Sequence, residues 1–351
     1  MKALVLSGGE GSRLRPLTHT NAKQLIPIAN TPILFHVLRA IAEAGITEVG
    51  IVVGHTAEEV RAAVGDGSAF GLAVTYIPQE APLGLAHAVL TAADFVRGGP
   101  FVMYLGDNVL LQPIDGFVRE FERTRPDAQI FLARVPEPER FGVAVLDGDR
   151  VVRLVEKPRE RISDLALVGV YLFDEPILEA CASLRPSWRG ELEITDAIQW
   201  LIDHGHTVRA ELVTGWWKDT GRPEDLLEAN RMMLGTLEPR VEGTVDADSV
   251  LEGVVVVEAG AKVVGSHLLG PTIVGPGTLV EGSTVGPYAS IAGGCEIRES
   301  AVADSIVMEG CRILGVPGIA GSILGRGVEI RRRDGGLHRL VLGDQSRVET
   351  P

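Results

Sequence analysis

Binding a polyphosphate needs positive charge that can approach closely, and the first stretch of this chain supplies it. Lys2–Leu6 is a short apolar run that stops at Gly8-Gly9-Glu10-Gly11-Ser12-Arg13-Leu14-Arg15-Pro16. A glycine-rich turn exposes backbone N–H groups to an anion. Arginine adds a forked donor, and lysine a mobile point charge. Lys23 follows ten residues after Arg13, in Ala22-Lys23-Gln24-Leu25-Ile26-Pro27. The turn is neither the G-x-G-x-x-G of dinucleotide folds nor the G-x-x-x-x-G-K-[ST] of the P-loop. Without Arg13 and Lys23 it would read as an ordinary strand-to-helix turn.

Two acids stand where a metal ion could join such a loop. Asp107 lies in Leu105-Gly106-Asp107-Asn108, directly after the strand-like Phe101–Leu105, and Asp219 in Trp216-Trp217-Lys218-Asp219-Thr220-Gly221 after another. Mg²⁺ is commonly held by one or two carboxylates together with phosphates and water. Taken alone, Asp107 fits a turn or a helix cap equally well. In Val155-Glu156-Lys157-Pro158, Lys157 could take a second phosphate and Glu156 sugar hydroxyls; a surface ion pair is the plainer reading. Arg189 precedes Glu191-Leu192-Glu193-Ile194-Thr195-Asp196, whose acids suit the positive end of a helix.

The chain has 351 residues and a net charge of -14, so no basic face for nucleic acid is evident. Residues 1–25 nevertheless hold Lys2, Arg13, Arg15 and Lys23 against Glu10 alone. Cationic charge gathered locally in an acidic protein suits a small anionic substrate rather than a polymer. Cys181, Cys295 and Cys311 lack zinc spacing and read as small buried hydrophobes in a reduced, cytoplasmic setting. No apolar run reaches a membrane span, and the start lacks signal-peptide shape, so no membrane partner is expected.

These residues need a scaffold, and the pattern up to about residue 238 is one of alternating strands and helices. Lys2–Leu6, Glu48–Val53, Phe101–Leu105, Gln129–Val135 and Thr207–Val213 read as strands. Thr31 reads as a cap and Pro32 as the first turn of a helix with apolar residues at 33, 34, 37, 38 and 41. Leu85–Val96, Ile114–Arg123, Leu192–His204 and Pro223–Met233 read as further helices, and Val143–Leu146 and Val151–Val155 as a hairpin around Asp147-Gly148-Asp149-Arg150. Such alternation predicts an α/β, Rossmann-like, mostly parallel sheet covered on both faces, with ligands at the carboxyl ends of its strands. Residues 239–351 change character. Ile273, Leu279, Val285, Ile291 and Ile297 recur every sixth position among glycines, with Val257 and Val263 upstream. That is the hexapeptide pattern of a β-helix. From Arg331-Arg332-Arg333 onward the phase is lost, and the stretch reads as a solvated cap or tail.

Taken together, the motifs resemble those of the sugar-1-phosphate nucleotidylyltransferases. The family's L-x-G-G-x-G-[ST]-R-L-x-P stands at Leu6 to Pro16, and its base-binding Q-x-x-P-x-G-L-A-x-A at Gln79 to Ala88. The G-D-N, E-K-P, R-G-E-L-E-I-T-D and D-T-G blocks follow in family order. Three places depart from common forms: Val109-Leu110-Leu111 after G-D-N, Lys218 after Trp217, and His87 where glutamine is usual. The resemblance implies that Gly8, Gly9, Gly11, Ser12 and Arg13 wrap the nucleotide phosphates, with Arg13 also at the reacting phosphorus and Lys23 on the triphosphate. It implies that Gln79 and Gly84 read the pyrimidine edge, and that Asp107 and Asp219 hold Mg²⁺. It assigns Gly142, Glu156 and Val168 to glucose, and Lys157 and Arg189 to its phosphate. The implied substrates are dTTP and glucose-1-phosphate, the product dTDP-glucose for deoxysugar synthesis, and the appended domain a left-handed β-helix.

Other readings are a UTP-using or dual-specificity enzyme, a non-catalytic sugar-nucleotide sensor, and acyl transfer by the β-helix. The last needs a basic histidine beside the coils, for which His267 and His338 are the candidates. The flat faces of the repeat domain suit packing against copies, so a homo-oligomer is expected.

Overall fold

The structure is a computed structural model and describes residues 1–148, 150–332, 345–347 and 349. The chain forms two compact units. The first takes in Met1–Glu10, Asn21–Leu25 and Ile33–Asp219; the second takes in Gly11–Thr20, Ile26–Pro32 and the chain from Thr220 onward.

The first unit is a nine-stranded sheet with helices on both faces. Its strands are β1 (Lys2–Ser7), β2 (Glu48–Val53), β3 (Ala73–Pro78), β4 (Phe101–Leu105), β5 (Ala128–Arg134), β6 (Gly142–Asp147), β7 (Arg150–Glu156), β8 (Leu165–Phe173) and β9 (Val208–Leu212). They lie in the order β3-β2-β1-β4-β8-β5-β9-β7-β6. The first four are parallel, as are β5 and β9. β8 enters antiparallel to both of its neighbours, and β6–β7 form the expected hairpin. Side chains of a strand alternate between faces, so Leu4 and Leu6 of β1 enter one apolar cluster and Ala3 and Val5 the other. The helix Ile33–Glu43 buries Ile33, Leu34, Val37, Leu38 and Ile41 and ends near Gly45, whose φ of 78° suits a residue without Cβ.

The helix start differs from the sequence reading. Thr31–Pro32 pairs with Pro27–Ile28 as a small antiparallel ribbon rather than capping the helix. The expected helix Leu85–Val96 is divided into Leu85–Thr91 and Ala93–Val96.

The second unit stacks short parallel strands in three sheets, consistent with a left-handed β-helix. Val257, Val263, Leu268, Val274, Val280, Val285, Ile291, Ile297 and Val302 share its apolar interior. Of the regular sixes, Val285, Ile291 and Ile297 therefore point inward, but Ile273 and Leu279 do not. Their places are taken by Val274 and Val280, while Ile273 packs outside with Ala29, Leu234 and Val256. The cause is the coil length. Corner serines bond to equivalent serines 17 residues away, Ser283 N to Ser266 Oγ at 3.0 Å and Ser300 N to Ser283 Oγ at 3.1 Å. Seventeen is one short of three sixes, and a one-residue slip in a strand exchanges its faces. Cys295 and Cys311 are buried in this interior, and Cys181 in the first unit; all three are free thiols. His267 Nε2 faces Glu252 at 3.1 Å, whereas His338 and Arg333 lie outside the described residues.

Within this unit the helix Pro223–Leu234 is fastened to the coils. Asn230 is 1% exposed; its Oδ1 accepts from Ala29 N and Ser290 Oγ, both at 2.8 Å. Arg231 forms a two-pronged pair with Asp304 at 2.5 Å per contact. Asn230→Ala should leave two buried donors without a partner and cost about 2–4 kcal/mol, read as a lower urea midpoint of the transition that reports the β-helix. A midpoint shift too small to measure would show that the Asn230 bonds contribute nothing net.

Candidate active site

In the first unit the candidate side chains fall into three groups. In the first, β4 ends in Gly106-Asp107, and a Cβ on Gly106 would lie 3.0 Å from Leu6 O, so the loop hugs the end of β1. Asp107 forms an ion pair with Lys23, which sits in the short helical turn Lys23–Leu25. Both side chains are largely buried, 16% and 11% exposed. Burial opposes the charge on Asp107, but the Lys23 ammonium and hydrogen bonds from Lys23 and Asn108 outweigh it and hold the carboxyl below its ordinary range. Asn108 Nδ2 donates to Asp107 Oδ1 at 2.9 Å, and Trp217 Nε1 donates to Asn108 Oδ1 at 2.8 Å. Asn108–Leu110 and Trp217–Asp219 form an antiparallel ribbon in which Asp219 stands opposite Asn108. Asp107 and Asp219 thus share one end of that ribbon. No trio of His, Cys, Asp or Glu suited to a metal occurs among the described residues. Two oxygen-donor carboxylates fit a hard divalent cation that keeps water or phosphate as its remaining ligands.

The second group begins where β3 ends. Gln79 lies beside the glycine loop: a Cβ on Gly8 would meet Gln79 Oε1 at 3.1 Å. Gln79 Nε2 is 2.9 Å from His87 Nδ1 and 3.5 Å from Gly84 O. Gly84 has φ 106°, and a Cβ there would stand 2.3 Å from Leu192 O, so only glycine fits. Leu192 N donates to Leu83 O at 2.8 Å and Ala86 N to Leu192 O at 3.1 Å. These bonds tie the Gln79 loop to the loop bearing Arg189.

The third group surrounds Arg189. Its guanidinium contacts Glu191 at 2.8 Å, Glu193 at 3.2 Å and Glu156 at 3.5 Å. Lys157 Nζ lies 3.6 Å from Glu156, and Thr195 Oγ1 donates to Glu156 Oε2 at 3.4 Å. Burial pushes the Glu156 carboxyl above its ordinary range, countered in part by Lys157 and Arg189. Glu193 is raised for the same reason, against a hydrogen bond from Ser187. A Cβ on Gly142 would meet Thr195 Cγ2 at 2.5 Å and Glu156 Oε2 at 3.0 Å, so Gly142 keeps a floor clear beside Glu156. Two cations and polarised carboxylates around a clear floor can hold a phosphate ester and hydroxyls.

Val168 is placed differently from a side-chain contact. It is wholly buried in the apolar core, at the irregularity where β8 leaves its register with β5. Gly8 and Gly9 belong to the first unit, and Gly11, Ser12 and Arg13 to the second. There Gly11 adopts φ 64°, its carbonyl accepts from Leu14 N at 2.9 Å and Thr18 Oγ1 at 2.8 Å, and Ser12 and Arg13 are exposed. The motif reading left out Asn108, Trp217, His87, Glu193 and Thr195 as site residues. Asn108 could have been found as the third member of G-D-N, but the others declare themselves only through contacts.

A family model described as nucleotidyl transferase matches residues 2–235, two thirds of the chain. The chain belongs to the nucleotidyl transferase family. Over nearly its whole length this nucleotidyl transferase is similar to two curated proteins named glucose-1-phosphate thymidylyltransferase. One, from Streptomyces griseus, is 56% identical over 352 residues; the other, from Streptomyces antibioticus, is 54% identical over 353, and 99% of each chain is covered in both cases. A solved Bacillus anthracis structure, described as a candidate glucose-1-phosphate thymidylyltransferase with sucrose bound, is 36% identical with a TM-score of 0.63. It covers 66% of the chain and 94% of its own. The family match takes in the sheet and its three groups of side chains and leaves out the stacked coils.

Proposed function

We propose that this nucleotidyl transferase transfers a thymidylyl group from dTTP to glucose-1-phosphate, giving dTDP-glucose and pyrophosphate. The observation that carries the reading is the separation of two anion-handling groups in one unit, Lys23–Asp107 and Lys157–Arg189, joined by the Gln79–Gly84 loop. Two polyanions must be brought together, so the task is neutralisation and alignment. An oxygen of the sugar phosphate attacks the α-phosphorus; an O–P bond forms, and the bond from the α-phosphorus to the bridging oxygen breaks as pyrophosphate leaves. The attacking phosphate is already ionised near neutral pH, so no side chain has to remove a proton. Lys23 neutralises the triphosphate and the departing pyrophosphate. Arg189 and Lys157 hold the sugar phosphate, Glu156 orients its hydroxyls, and Gln79 and Gly84 receive the base. By its loop motif, Arg13 acts at the reacting phosphorus. Mg²⁺ on Asp107 and Asp219 would supply charge compensation and Lewis acidity when bound.

Support comes from the order of the motifs and from the two full-length relatives named for this activity. The decisive measurement is pyrophosphate release across a matrix of dTTP, UTP, dCTP and ATP against glucose-1-phosphate and other sugar 1-phosphates. Fastest release from dTTP with glucose-1-phosphate is expected. Equal rates with UTP would replace the assignment with dual specificity, and release from no pair would leave a sugar-nucleotide sensor. Asp219→Asn should raise the Mg²⁺ needed for half-maximal activity by roughly tenfold or more; an unchanged metal titration removes Asp219 from the metal site. We place the protein in the cytoplasm as a homo-oligomer assembled through its coils, and a monomer by light scattering at micromolar concentration would refute the assembly.

A further inference from the structure

Gln79 stands at the base-reading loop, yet an amide presents opposite chemistry depending on which way it faces. Its orientation here is decided by its neighbours. Nε2 is 3.5 Å from Gly84 O and 2.9 Å from His87 Nδ1. A backbone carbonyl can only accept, so the atom beside Gly84 O must be the NH₂ and not the oxygen. Gly84 O is itself fixed: it accepts from Ala88 N at 3.1 Å with one lone pair and keeps the other, Leu192 bonds to Leu83 and Ala86 on both sides of it, and Gly84 is pressed against the Leu192 backbone. His87 extends from the helix Leu85–Thr91 that follows directly. With one Gln79 N–H directed at Nδ1, the imidazole accepts there and carries its proton on Nε2. The second N–H is held only at the outer limit of a hydrogen bond to Gly84 O, and it stands next to that carbonyl. One donor beside one acceptor is the complement of an edge with a carbonyl beside a ring N–H.

We propose that His87 is a positioning residue that fixes the polarity of Gln79 and so selects a pyrimidine with a 4-carbonyl and an N3–H over one with a 4-amino group. The inference rests on the thymidylyl-transfer reading and deepens it. With the His87 acceptor gone, the amide is free to reverse, and Oε1 and Gly84 O become two adjacent acceptors. That pair repels the 4-carbonyl of thymine and accepts from the 4-amino group of cytosine, so discrimination narrows from both sides.

The test uses the full chain with Mg²⁺ and glucose-1-phosphate, following pyrophosphate release from dTTP and from dCTP. His87→Leu keeps an apolar volume but offers no acceptor. It should raise the KM for dTTP about tenfold and lower the dTTP-to-dCTP ratio of kcat/KM by at least that factor, with the smaller change in kcat. His87→Gln can accept through its own Oε1 and should restore most of the ratio. In a Gln79→Ala background, His87→Leu should not change the ratio further. If His87→Leu does not fold, His87→Lys serves in its place, because an ammonium only donates and must turn Gln79 round. A purely structural His87 would weaken both nucleotides alike, and an unchanged ratio in an active variant overturns the proposal. Wild-type protein that releases no pyrophosphate from dTTP overturns the activity itself, and the role of His87 with it.

Discussion

Asp107→Asn is expected to lower turnover about a thousandfold, the scale of losing a principal electrostatic group at a phosphoryl centre. The substitution is nearly isosteric, and an asparagine there can still accept from Lys23 and Asn108. Folding should therefore survive while the charge does not. In the wild-type chain the carboxyl is held below its ordinary range by Lys23 despite burial. Its charged form is therefore present throughout the neutral range. The sign of the linkage follows: the stabilisation from the Lys23 pair is in full force above the unfolded pKa and fades as pH falls through the lower folded value. The variant should lose rate at neutral pH and also lose that acid-side decline in stability. Single-turnover rates and acid titrations of thermal midpoints measure the two. Turnover within threefold of wild type would falsify the placement of Asp107 at the reacting phosphates.

Arg13→Ala ranks second, with an expected fall in kcat of roughly two to three orders of magnitude and a smaller change in the KM for glucose-1-phosphate. Arg13 is exposed on the short helical turn Ser12–Leu14, whose buried anchor is Leu14 rather than the arginine. Its loss should not disturb that turn. Arg13→Lys should recover only part of the rate, because a point charge replaces a planar fork. Full recovery by lysine would reduce the role to bulk neutralisation, and an unaltered kcat in the alanine variant would remove Arg13 from the chemical step.

Much of this was legible in the residues, and the illegible parts have physical causes. β2 and β4 could be read to their ends, because apolar runs bounded by turn residues mark buried parallel strands. β8 could not: its nine buried residues, broken by Gly169, outrun the roughly four to eight that mark a buried strand, and periodicity does not tell such a run from a buried helix. β3 was missed for the opposite reason, its residues being half exposed. The hexad rule found the β-helix but misassigned Ile273 and Leu279, since a fixed six cannot follow coils of seventeen. In the site, motif order supplied Lys23 and Asp107, but nothing local says that they meet; only the fold of β1 and β4 side by side does that. Val168 was named for a sugar, yet it is wholly buried in the apolar core, and burial is not written in a motif. His87 stood out as an unusual letter in a motif, and its partner eight residues earlier gave it meaning.

The corner serines of the β-helix also set a rule for how this protein can change length. The hydroxyls of Ser249, Ser266 and Ser283 each receive the N–H of the serine one coil on, and that of Ser300 receives Val316 N sixteen residues on, so the column works like a screw thread. An insertion that respects the thread adds one more identical contact at each corner and leaves the interior aliphatic column continuous. One coil is a residue shorter, with Ser290 beside Ile306 and Glu296 beside Arg312, and Val307, Cys311 and Ile313 still face the interior after it. Growth and trimming of this half of the molecule therefore proceed in whole coils of sixteen or seventeen residues.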